Sequence, residues 1–101
     1  MMPERATDEI EIGVTIRNTS NQPLTLYLEP WGEEYPMATQ QEFVVLGQGP
    51  KAGSGFWIEH GDRTITVFGW TNSVVRVFEK ERELGGSANK PRIPPFDDSS
   101  H

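Results

Sequence analysis

Between Arg17 and Lys51 the chain carries no basic residue, and four carboxylates, Glu29, Glu33, Glu34 and Glu42, fall inside that stretch. Three of them lie in Leu28-Glu29-Pro30-Trp31-Gly32-Glu33-Glu34-Tyr35, beside two aromatic rings. Rings among carboxylates suit a cationic group, because the ring faces add cation–π attraction to the charge. The competing assignment is structural: Trp31 plugs one open end of a small β-domain while the glutamates face water. Both stay open on sequence alone. Calcium fits poorly, since it takes about six to eight oxygens, usually from closely spaced Asp and Asn, and this segment has no Asp. Glycoside hydrolysis needs two acids about 5–10 Å apart. Adjacent Glu33 and Glu34 splay in an extended chain, so only Glu29 with Glu42 would serve, if strand pairing brought them together.

Other candidates are simpler to place. His60 lies in Glu59-His60-Gly61-Asp62, and an acid beside a histidine is the pattern of a general base with its orienting partner. Turn chemistry accounts for the same residues, because Gly and Asp tolerate unusual dihedrals. Gly47 to Gly55 holds four glycines and Lys51. It lacks the order G-x-x-x-x-G-K-[ST] and a following helix, so it reads as a flexible hairpin loop, not a phosphate cradle. No metal or cofactor site is expected. Trp57 and Trp70 flank a predicted hairpin. If Phe56 faces the core, Trp57 faces water or a second layer, and Phe68 and Trp70 pose the same question beside Ile65 and Val67. Only one face of each sheet in a sandwich is buried, so some of Phe43, Trp57, Phe68 and Trp70 are expected outside, as a partner-binding patch.

The elements that must carry these residues are strands. Ile10, Ile12, Val14 and Ile16 alternate with Glu11, Gly13, Thr15 and Arg17, the period of a half-buried strand. Asn18 to Pro23 is dense in turn formers. Leu24, Leu26 and Leu28 give a second strand, ended by Pro30, and residues 30–41 read as a loop. Phe43 to Leu46 is a continuous apolar run, the pattern of a strand covered on both faces. Phe56–Glu59, Thr64–Gly69 and Val74–Phe78 complete six strands, with Lys80 to Leu84 either extending the last or making one helical turn. The expected fold is an all-β, small antiparallel sandwich of six to seven strands over residues 9–84, after a flexible leader at 1–8 and before a disordered tail at 85–101.

Composition narrows the partners. The 101 residues include ten Gly, eight Pro and no Cys, and the formal net charge is -6. Acidic surfaces repel phosphate backbones and anionic lipid, so neither nucleic acid nor membrane is expected as a partner. The absence of thiols fits a reducing cytoplasm, no secretory pattern opens the chain, and no apolar run approaches the roughly 18 residues of a membrane span.

Two patterns carry resemblances. Residues 10–28, Ile-x-Ile-x-Val-x-Ile-x-Asn-x-Ser-x-x-Pro-Leu-x-Leu, resemble the first hairpin of immunoglobulin-like and transthyretin-like sandwiches. Leu-x-Leu-Glu-Pro-Trp-Gly-Glu-Glu-Tyr, with the later Val67-Phe68-Gly69-Trp70-Thr71-Asn72-Ser73-Val74-Val75-Arg76-Val77, resembles an uncharacterised group of small bacterial β-proteins over residues 10–84. That resemblance implies a bacterial or phage origin and no chemistry. The function expected is a non-enzymatic protein-binding module, with self-association as a homodimer its simplest form. Its contact residues are drawn from Glu29, Trp31, Glu33, Glu34, Tyr35, Trp57 and Trp70. The alternative is a small-ligand or cation site at Trp31, Tyr35 and the neighbouring glutamates.

Overall fold

A computed structural model describes residues 8–85 and 91–94. Eight strands follow one another: β1 (Glu9–Arg17), β2 (Leu24–Glu29), β3 (Glu33–Met37), β4 (Glu42–Pro50), β5 (Trp57–Gly61), β6 (Thr64–Phe68), β7 (Val74–Glu79) and β8 (Arg82–Leu84). They form two four-stranded sheets, ordered β1-β4-β7-β8 and β3-β2-β6-β5. The fold is an all-β sandwich. Every pairing is antiparallel except β2 with β6, which run parallel.

The alternation in β1 and β2 decides which side chains enter the core. Ile16 faces inward opposite Phe43, and Leu26 and Leu28 lie beside Ile65 and Val67. Leu26, Leu28, Val45, Val67, Val75 and Val77 lose all contact with water. Each such aliphatic side chain contributes about 1.5–3 kcal/mol by burial.

Several expectations change. β1 and β2 do not form a hairpin, because Asn18 to Pro23 carries the chain from one sheet to the other. Buried Asn18 holds that corner. Its Nδ2 donates to the carbonyls of Gln22, Met37 and Ala38, and its Oδ1 accepts from the backbone N–H and Oγ of Ser20. The stretch read as a loop over 30–41 contains β3, with Tyr35 and Met37 turned inward. Pro36 obscured it, yet a proline is tolerated here because β3 is an edge strand. The run Phe43 to Leu46 is not covered on both faces: Phe43 and Val45 are buried, while Val44 and Leu46 are half-exposed on the outer side.

The glycine-rich segment likewise begins as strand, since β4 runs through Gly47 and Gly49 to Pro50. Both glycines are packing sites. A Cβ on Gly47 would stand 2.7 Å from Trp70 Cζ3 and 2.8 Å from the Phe56 ring, and one on Gly49 would stand 2.7 Å from Ser73 Cα. Lys80 and Glu81 make a turn, and β8 returns along β7 with Arg82 opposite Glu79.

The leader at 1–7 and residues 86–90 and 95–101 lie outside the described residues. Within the expected tail, residues 91–94 lie against the turn between β6 and β7. Ile93 donates its N–H to the Ser73 carbonyl and accepts from the Asn72 N–H. Arg92 reaches the Asn72 carbonyl at 2.7 Å and the Glu9 carboxylate at 3.2 Å.

Candidate functional site

The register of the β3-β2-β6-β5 sheet sorts its side chains into two faces. Leu26, Leu28, Ile65 and Val67 fill the inner one, so the intervening residues form the outer one. They stand there in rows, with neighbouring strands about 4.8 Å apart. Glu29, Phe68 and Trp57 make one row across β2, β6 and β5. Glu34, Tyr27, Thr66 and Glu59 make the next, across all four strands. The outer face therefore carries three aromatic rings, with carboxylates on β3, β2 and β5. None of the four strands contains Lys or Arg; the nearest in sequence is Arg63, in the turn after β5.

β5 is one of the two open edges of this sheet, with β3 the other. It pairs with β6 alone, and all five of its residues are exposed. Trp57 is 65% and Ile58 39% exposed, the large hydrophobic side chains most accessible to water among the described residues. They point to opposite faces: Trp57 lies opposite Phe68 on the outer side, and Ile58 opposite Val67 on the inner side. The Trp57 indole is held in place, because its Nε1–H donates to the Glu59 carboxylate at 2.9 Å. The edge of the indole thus stands beside a carboxylate on one strand.

The core sets this strand's orientation. Half-buried Phe56 turns in against Trp70, with ring centroids 5.7 Å apart and planes at 64°. The edge-to-face arrangement is favourable for aromatic pairs. Because Phe56 is committed inward, Trp57 faces out.

The other residues singled out from sequence divide sharply. Trp70 is buried to 5% exposure, and its Nε1–H donates to the Pro50 carbonyl at 2.9 Å, so it is a core residue and no part of a surface. Tyr35 is likewise buried, at 7%, with its hydroxyl donating to Glu33 Oε1 at 2.6 Å. Burial, then the hydrogen bond to Glu33 and the charges of Glu33 and Glu83, hold this phenol protonated well above the usual tyrosine range. Trp31 packs against the core, and its Nε1–H donates to the Pro91 carbonyl at 3.0 Å. Glu33 turns to the inner side with Tyr35, whereas Glu34 is exposed on the outer face and Glu29 is half-buried there. The supposed cluster is therefore split between the two sides of one sheet.

Acid pairs for catalysis do not converge. Glu29 and Glu42 lie on the outer faces of different sheets, on opposite sides of the molecule. Glu59 and His60 point to opposite faces of β5, and Asp62 sits in the following turn. No group of three or more potential metal ligands occurs among the described residues, and no helix there is long and apolar enough to cross a membrane.

Tyr27 and Ile58 were missed from sequence. Tyr27 had a signal: once Leu24, Leu26 and Leu28 face inward, the residue between the last two must face out. Ile58 had none, since strand parity places it on the inner side opposite Val67, yet it is 39% exposed on the edge strand. No protein-family model, curated protein or solved structure matches the chain, so this outer face and its open strand are assigned from geometry.

Proposed function

We propose that this chain is a non-enzymatic protein-interaction module that holds its partner on the outer face and free edge of the β3-β2-β6-β5 sheet, around Trp57. The observation that carries this reading is the exposure of Trp57 and Ile58 together on an edge strand that is paired on one side only. Edge strands normally blunt their open hydrogen-bonding groups with charge, proline or brevity. Large apolar side chains kept in water on such a strand, Trp57 beside Phe68 on the outer face and Ile58 on the inner one, fit an interface better than a free surface. Tryptophan and tyrosine also dominate the energetic centres of protein interfaces.

The small-ligand reading at Trp31 and Tyr35 loses its support, since both rings are committed to packing and internal hydrogen bonds. The test is affinity capture together with light scattering, on the unaltered chain and on Trp57→Ala. The reading expects capture or self-association in the first and its loss in the second, with the fold intact because Trp57 lies outside the core. If Trp57→Ala retains both its captured proteins and its oligomeric state, the reading is wrong. A dimer that Trp57→Ala dissolves would identify the partner as a second copy.

A further inference from the structure

Resting on that assignment of β5, we infer that the occupant is an extended, basic segment of another protein, added to the sheet as a fifth strand beside β5. The four edges of the sandwich are not alike. β8 is three residues long, β3 carries Pro36, and β1 presents Glu9, Glu11 and Arg17, with Glu9 held by Arg92. Those are the usual protections of an open edge. β5 has neither proline nor lysine, and its one carboxylate, Glu59, is engaged by the Trp57 indole. Such an edge offers its free N–H and C=O groups to an incoming strand.

Charge selects the occupant. The outer face of this sheet carries Glu29, Glu34 and Glu59, and its four strands contain no Lys or Arg. The opposite sheet carries basic residues as well, with Arg17 beside Glu42 and Arg76 beside Glu83. A second copy pairing β5 with β5 antiparallel about its central residue would set two Glu59 carboxylates directly opposite each other, which like charge opposes. A basic strand meets complementary charge instead. Its side chains alternate between faces. Those on the outer face lie along Trp57 and Glu59, where a lysine or arginine gains both a ring face and a carboxylate. Those on the inner face lie along Ile58 and His60, where an apolar residue covers Ile58. The recognised pattern is thus basic and apolar residues in alternation.

The probe is a short synthetic peptide alternating lysine and valine. Its comparisons are the same composition with the lysines in one block, and alternating glutamate and valine. Titration into the full chain, followed by amide NMR and hydrogen exchange, should show saturable binding of the first peptide alone, with slowed exchange at residues 57–61. Glu59→Gln should weaken it by roughly two- to fivefold, as for an exposed ion pair, and Trp57→Ala by about tenfold or more. Equal binding of the block peptide, or binding without protection of β5, overturns strand addition. If no peptide binds while Trp57→Ala still abolishes partner capture, the basic strand is refuted and the interaction module stands. If capture is also unaffected, both fall.

Discussion

Replacing Asn18 tests how the sandwich holds its second strand, and with it the outer face. The Asn18 side chain donates to three carbonyls, at 2.8 Å to Gln22, 3.2 Å to Met37 and 3.2 Å to Ala38, and accepts two bonds from Ser20. Its backbone also bridges Gln40 and Gln41 ahead of β4. Asn18→Ala deletes the side-chain bonds. Each is worth about 1 kcal/mol net, and the fully buried Met37 carbonyl adds roughly 1–3 kcal/mol when left unpaired. Bonds at the rim are partly replaced by water, so the total is about 3–5 kcal/mol. A domain of this size has roughly 5–10 kcal/mol in all, so the loss should lower Tm by some 15–30 °C. Asn18→Asp is the sharper variant, because it keeps the shape and trades two donor protons for a carboxylate oxygen aimed at carbonyls. That setting raises the folded carboxyl pKa above its unfolded value of about 3.9. Stability is then best below about pH 4 and falls as pH rises through the folded pKa. Urea denaturation followed by tryptophan fluorescence at about pH 4 and 7 reads both effects. A cost under about 1 kcal/mol for Asn18→Ala, or an Asn18→Asp deficit equal at both pH values, would refute the reasoning.

Other variants probe the remaining joints. Gly47→Ala places a Cβ 2.7 Å from the Trp70 ring and 2.8 Å from Phe56; it should cost about 1–3 kcal/mol by overpacking and alter the near-ultraviolet circular dichroism. Tyr35 holds its proton more tightly folded than unfolded. Its contribution is complete below the unfolded value of about 10 and is lost as pH rises above it, so the chain should weaken beyond about pH 10 and Tyr35→Phe should flatten that limb of the denaturation profile. Arg92→Ala breaks an exposed pair with Glu9 and should cost no more than about 1 kcal/mol, while hydrogen exchange at Ile93 quickens. Trp57→Ala should change stability by less than about 0.5 kcal/mol on thermal melting, as expected of a surface side chain away from the core.

The sheet-forming segments were legible where apolar residues alternate without interruption. Ile10 to Ile16 and Leu24 to Leu28 name both their strands and their inward faces. β3 was hidden because Pro36 reads as a terminator, and sequence does not reveal that this strand lies on an edge where proline is harmless. Gly47 and Gly49 read as loop for a similar reason: their lack of side chains looked like flexibility, whereas it makes room for Phe56, Trp70 and Ser73. The site was half legible. Phe56 facing inward forces Trp57 outward, a matter of parity alone. Trp70 follows Gly69 beyond the end of β6, outside any alternation, so only its hydrogen bond to Pro50 and its seat over Gly47 place it inside. The acidic run from Glu29 to Tyr35 looked like one cluster because sequence proximity hides the two faces of β3.

The central claim is that a partner touches one particular face. Hydrogen exchange of the chain with and without a captured partner, read residue by residue, tests it most directly. Protection should appear at Trp57 to Gly61 and extend to Tyr27 and Phe68. Protection centred on Val44, Leu46 and Phe78, on the outer face of the opposite sheet, with β5 unchanged, would contradict it.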